Sequence, residues 1–177
     1  MKRWVVILSM IVCSALFAVE LPPELPPRGT ILTTAAIIEV FDSNQSLLGI
    51  LLIKRGKEPF GYALPGGKVE YGETVETAVK RELFEETHVN LDDLRQFRVY
   101  SDPSRDPLWH SVEVTFMGWT HDAPVAGDDA AEVWVCPLDQ IPYHAFAFDH
   151  AKILQEYMST RQQPGKIGLL NPLRRGR

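Results

Sequence analysis

Glu82, Glu85 and Glu86 stand within five residues of one another, inside a stretch whose apolar periodicity is helical. A helix over about 74–87, at ~100° per residue, gathers Val75, Ala78, Val79 and Leu83 into one stripe. With Val75 at 0°, Glu86 falls at about 20°, Glu82 at about 340° and Glu85 at about 280°. Two carboxylates therefore occupy the middle of the face that ought to be buried, and a third its edge. Like charges four apart cost about 0.2–0.5 kcal/mol even when solvated, and burying unpaired carboxylates costs far more. A hard cation resolves the conflict, because Mg²⁺ takes oxygen ligands in near-octahedral array, shared with water and substrate phosphate. The pattern predicts a metal site led by Glu82 and Glu86, with Glu85 as a third ligand. The competing reading is an ordinary amphipathic helix with acidic decoration.

Other residues carry chemistry around this nucleus. Arg81, at about 240° on the same wheel, lies beside Glu85 and either orients it or forms a surface ion pair of little worth. Glu73, ahead of the first turn, favours the helix N-terminus electrostatically. Gly66 and Gly67 permit a tight turn and close approach to a ligand. Arg105 offers a bidentate guanidinium for phosphate or ribose oxygens; its alternative is solvation beside Asp102 and Asp106. Trp109 either stacks on a base or caps the core from a loop. Asp128 and Asp129 supply a ligand or base, or are plain turn residues. His110, His121, His144 and His150 show no metal-like clustering and read as structural or surface residues.

Strand and helix signals frame these positions. Residues 33–41 and 47–53 read as strands separated by a turn at Asp42–Asn44. Residues 62–64 lead into Pro65-Gly66-Gly67. Strands are expected over 98–100, 112–119 and 132–136, and a closing helix over 149–158. Interleaved strands and helices imply a mixed sheet between helices. Cys136 reads as a small core residue.

The chain has 177 residues, which suits one domain with appendages. A hydrophobic share of 45% supports a true core, and a net charge of −5 argues against a nucleic-acid surface. Lys2 and Arg3 precede an uncharged run ending near Ala15 and Ala18, so 1–20 reads as a signal peptide or an uncleaved membrane anchor. That implies export or anchoring; a start at Met10 would instead leave a cytoplasmic protein. Residues 21–29 are a proline-rich spacer, 30–160 the domain, and 161–177 a loosely ordered tail. With only Cys13 and Cys136 in the chain, a cleaved form has no internal disulfide.

Residues 67–89 resemble the Nudix box: Gly67, Glu73, Arg81, Glu82, Leu83, Glu85, Glu86 and Val89 stand at its fixed positions, with His88 where glycine is expected. The resemblance implies an α/β/α sandwich with a mixed β-sheet. It also implies Mg²⁺ (or Mn²⁺) held by the glutamates with the backbone carbonyl of Gly67, and Glu73 as a water-mediated ligand. The implied reaction is hydrolysis of the diphosphate in a nucleoside diphosphate linked to X. Water attacks a phosphorus, and Glu85 or an acid of 127–132 takes the proton. Residues 101–110, 126–132 and 146–154 are similar to the corresponding stretches of ADP-ribose pyrophosphatases, although Leu108-Trp109 replace the Arg-Gly usual there. ADP-ribose, cleaved to AMP and ribose 5-phosphate, is the substrate this implies. The alternatives are a nucleoside triphosphate, or a sensing module without turnover. Homodimers are common among the relatives, and no sequence patch marks an interface here.

Overall fold

The computed structural model describes residues 29–127 and 130–161. Segment 1–20, nearly all of the spacer, the tail beyond Arg161, and both Asp128 and Asp129 lie outside the described residues. β1 (Ile31–Phe41) and β2 (Leu47–Arg55) form an antiparallel hairpin. Its turn is closed by Asp42 Oδ1, which accepts from the amides of Asn44 and Ser46 at 2.8 Å each. β3 (Tyr62–Ala63) and β4 (Gly66–Lys68) are short, and α1 spans Val75–Thr87. Then follow β5 (Arg95–Tyr100), β6 (Ser111–Thr120), β7 (Ala130–Cys136) and α2 (His150–Arg161).

Side chains alternate across a strand, so a central strand covered on both faces must be apolar throughout. β1 meets that requirement. Ala35 and Ile37 join Ile50, Leu52, Ile153 and Leu154 on the α2 side. Ala36, Ile38 and Val40 join Leu51, Val79 and Leu83 on the α1 side. The result is two helices sandwiching a mixed sheet. β6 runs parallel to β1, in register from Ile31 opposite Ser111 to Val40 opposite Thr120, and β5 adds an antiparallel edge. Cys136 is fully buried, and burial pushes its thiol up to about 11.

The sheet is split at one end, and the split makes the site. β6 occupies one edge of β1 along Ile31–Val40. The other edge is therefore shared by β2, opposite Glu39–Phe41, and β4, opposite Thr33–Ala35. By the same reasoning β7 takes one edge of β2, leaving the other to β1 at Ile50 and to β3 at Ile53 and Lys54. β1 and β2 pair at the hairpin end and splay apart at the other, with β3 and β4 filling the gap.

Most elements extend a residue or two past their sequence signals, and two extend by three. β5 begins at Arg95 rather than Arg98, because most of this edge strand is exposed and carries no apolar alternation. α2 continues past Met158 to Arg161, held by the buried Glu39 of β1. Glu39 Oε1 accepts from Tyr157 Oη at 3.0 Å and from Arg161 Nε at 2.6 Å. Among the described residues no helix is long and apolar enough to cross a membrane.

α1 begins at Thr74, whose Oγ1 accepts the Thr77 amide at 3.2 Å, an ordinary N-cap. It ends on His88 at φ 56° and ψ 14°, with the His88 N–H donating to Phe84 O. The histidine thus adopts the left-handed conformation that glycine would take cheaply. Its Nδ1 lies 3.2 Å from Val125 O. The Val125 and Gly127 amides donate to the Thr87 and Glu86 carbonyls at 2.9 Å each, which caps the remaining helix end. A β-branched side chain tolerates this backbone poorly. His88→Val should lower stability by about 1–2 kcal/mol in urea unfolding; an unchanged midpoint would show that the cap carries no strain.

Candidate active site

The splayed end of the sheet opens a cleft of about 390 Å³. Thr33 and Thr34 of β1, Ile53 and Arg55 of β2, Ala63, and Gly66 to Lys68 line it from the sheet. Glu82 and Glu86 enter from α1, and Phe148 and His150 from the approach to α2. The cleft therefore sits where strand pairing stops, with a helix of misplaced acids along one wall.

Burial along α1 follows the helical wheel. Glu86 is buried, Glu82 partly buried, and Glu85 exposed. Glu86 Oε2 accepts the Gly66 amide at 2.8 Å. The Glu82 carboxylate lies so close to Gly67 that any Cβ there would collide with it. Gly66 has φ +155°, and a Cβ on it would strike the Thr34 carbonyl. Gly66 is thus demanded by backbone packing, and the Gly66-Gly67 turn lies directly against two carboxylates.

Arg81 organises the acids. Its Nε and Nη2 each donate to Glu73 at 3.0 Å, and Nη1 donates to Glu82 at 2.9 Å and to Glu85 at 3.1 Å. Nη2 also donates to Lys68 O at 3.0 Å. One guanidinium therefore joins three carboxylates to β4. The bond from Arg81 holds Glu73 below the usual carboxylate range. Burial pushes Glu82 upward, against the opposing pull of Arg81 and with the help of Glu85 and Glu73. A carboxyl whose ionised form is disfavoured in this way gains from a cation.

Among the described residues no three His, Cys, Asp or Glu side chains form a ready-made metal cage. Mg²⁺ needs none, because it is bound through one or two carboxylates and keeps waters and substrate phosphates as its other ligands. The all-oxygen donor set facing the cleft fits such an ion. Glu82 and Glu86 would hold it, with the Gly67 carbonyl beside them.

A NUDIX domain model matches residues 31–157. The chain belongs to the Nudix family. It is 46% identical over 112 residues to the ADP-ribose pyrophosphatase of Methanocaldococcus jannaschii, covering 62% of this chain and 65% of that protein. The chain thus spans just under two thirds of that relative's length. It is 31% identical over 108 residues to the oxidized purine nucleoside triphosphate hydrolase of Mus musculus, covering 60% and 67%. Among solved structures it is similar to the Nudix domain of Shewanella oneidensis NrtR complexed with ADP ribose. The TM-score there is 0.68 at 26% identity, with 78% of this chain and 94% of that one covered. The Nudix fold is therefore the mixed-sheet sandwich described above.

Outside the Nudix box, several residues stand differently from their sequence readings. Arg105 lines the cleft yet is buried, neither solvated nor presented as an open fork. Its Nη2 lies 2.7 Å from Asp149 Oδ1 and 3.1 Å from Glu113 Oε2, its Nε 3.3 Å from Asp149 Oδ2, and its Nη1 2.9 Å from Ser111 Oγ. Trp109 does not cap the core. It is 47% exposed at the cleft, with Lys68 Nζ 5.6 Å from its ring centroid, because the Pro107-Leu108 bend turns it outward. Within the box, Glu73 grips Arg81 in addition to preceding the helix.

Three cleft residues carried no sequence signal: Arg55, Glu113 and Phe148. Arg55 lies 4.7 Å over the Phe148 ring, and Phe148 holds φ +55°. Glu113 is fully enclosed on β6. Burial opposes its ionisation, but hydrogen bonds from His150 and the Arg105 guanidinium hold its carboxyl below the usual range. The alternation of β6 hid it, because Val112, Val114 and Phe116 mark the opposite face as the apolar one, yet Glu113 and Thr115 are both buried.

Proposed function

We propose that this Nudix protein is an Mg²⁺-dependent pyrophosphohydrolase that cleaves ADP-ribose to AMP and ribose 5-phosphate. The observation that carries the reaction class is the seating of Glu82 and Glu86 against the Gly66-Gly67 turn inside the cleft. When bound there, the ion supplies charge neutralisation at the diphosphate and a lowered pKa for the attacking water. The chain's own residues do the rest. Arg81 fixes Glu82 and Glu85 in place, and Lys68 and Arg55 bring positive charge to the cleft. Glu85, exposed beside Arg81, takes the proton of the attacking water; Asp128 and Asp129 are the competing acids.

The choice of ADP-ribose rests on the 46% identity to the archaeal pyrophosphatase. The cleft supports it: Trp109 and Phe148 line it as aromatic surfaces for a base, each with a cation against its ring. The test is a panel of ADP-ribose, NADH, diadenosine polyphosphates and nucleoside triphosphates, assayed with purified protein and Mg²⁺ for phosphate-bearing products. ADP-ribose should give the highest kcat/KM. A better rate on a triphosphate would replace this substrate while keeping the reaction, and no turnover on any member would defeat both.

A further inference from the structure

The segment Leu64 to Gly66 is fixed peptide by peptide, each time by a different element. His150, the first residue of α2, accepts the Leu64 amide on Nδ1 at 3.0 Å. The Pro65 carbonyl accepts the Ala36 amide of β1 at 2.8 Å, and Glu86 of α1 accepts the Gly66 amide at 2.8 Å. Two of these partners are expected from sheet pairing and from the acidic helix. The third comes from a histidine 86 residues away in sequence.

Hydrogen bonding decides the state of that ring. A nitrogen that accepts a backbone N–H carries no proton of its own, so the proton resides on Nε2. Nε2 faces Glu113 Oε2 at 3.3 Å, and Glu113 is in turn held by Arg105 Nη2 at 3.1 Å. A continuous buried chain thus runs from Arg105 through Glu113 and His150 to the Leu64 amide. It ends two residues before the turn that seats the carboxylates.

We propose that His150, outside the Nudix box, is a positioning residue for hydrolysis. As its Nε2–H tautomer, oriented by Glu113, it clamps the Leu64 amide and so sets the Gly66-Gly67 turn against Glu82 and Glu86. The inference rests on the pyrophosphohydrolase reading for its effect on turnover. Groups that orient a site through one intervening residue typically change affinity or activity by about 10- to 100-fold when removed.

Two substitutions dissect the ring. His150→Asn keeps an acceptor at the Nδ1 position and loses the reach to Glu113. His150→Gln reaches toward Glu113 and loses the acceptor at Leu64. With the full chain, kcat for ADP-ribose should fall about 10- to 100-fold in His150→Gln, with KM changing less, and should fall less in His150→Asn. Amide exchange at Leu64, followed by NMR without metal or substrate, should accelerate in His150→Gln and remain slow in His150→Asn. The imidazole ¹⁵N spectrum of the wild-type protein should show protonated Nε2 and bare Nδ1. A protonated Nδ1 overturns the proposal without any variant, so a His150→Gln chain that fails to fold does not rescue it. Equal loss in both variants, or wild-type kcat in His150→Gln, also overturns it. Absence of turnover on every substrate would defeat the functional reading, while the tautomer and Leu64 exchange would still decide the clamp.

Discussion

Glu82→Gln and Glu86→Gln should each lower kcat by about 10²–10³-fold, because a divalent ion's charge stabilisation is worth several kcal/mol and each 1.36 kcal/mol is a factor of ten. The two variants should differ in what else they do. Glu86→Gln retains an oxygen that can accept the Gly66 amide, so the turn keeps its bond and only the charge is lost. Glu82→Gln removes a carboxylate whose burial already disfavours its ionised form. The metal-free Glu82→Gln protein should therefore be as stable as wild type or slightly more so, as expected where a site is held under strain for function. Adding Mn²⁺ supplies the second readout. Wild type should gain thermal stability with metal concentration, following RT ln(1 + [L]/Kd), and both variants should gain less. Wild-type turnover in either purified variant would remove that residue from the ligand set. An unchanged response of the melting temperature to Mn²⁺ would do the same.

The acidic helix was legible because its evidence is local. Four apolar residues and three glutamates on a 3.6-residue period suffice to set Glu82 and Glu86 deeper than Glu85, and the structure does the same. β1 was legible as a buried strand because its apolar run is continuous, and β6 as a strand because it alternates, but the burial of Glu113 and Thr115 on the polar side of β6 was not. The split between β1 and β2 was not legible either. It depends on which strand takes each edge, and β3 and β4 have two and three residues, too few for any periodicity. Nor could spacing reveal the partners of charged groups across the sheet. Arg105 meets Asp149 across 44 positions, and His150 meets Leu64 across 86. On sequence Arg105 stands between Asp102 and Asp106, which look like its partners. In the fold those neighbours turn outward into the loop, where each caps local amides, and the guanidinium goes inward.

That inward guanidinium carries the second large effect. Arg105 and Glu113 are both enclosed, with side-chain exposures of 3% and 6%. Removing Arg105 leaves Glu113 a buried carboxylate held, among the described residues, only by His150 Nε2 and Thr115 Oγ1, and breaking such an ion pair costs about 3–5 kcal/mol. Arg105→Met should therefore lower unfolding free energy by about that amount at neutral pH, although its apolar volume fits the site. Most of the loss belongs to Glu113, since Asp149 is more exposed and retains water. The pH dependence should weaken. In wild type the Glu113 carboxyl sits below its ordinary value, so the folded state binds fewer protons than the unfolded chain. Its contribution is full above the unfolded carboxylate pKa of about 4.3 and is lost as pH falls through the lower folded value. Without Arg105 the pull that holds it there weakens and the folded pKa moves upward toward the unfolded one. The variant should therefore lose less stability than wild type as pH falls. Adding Glu113→Gln to Arg105→Met removes the charge altogether and should restore most of the loss at neutral pH, giving a large coupling energy in the double-mutant cycle. Urea unfolding of the four proteins at neutral and mildly acidic pH measures each quantity. Additive losses with no recovery in the double variant would show that Arg105 acts through packing alone, with Glu113 ionised by other means.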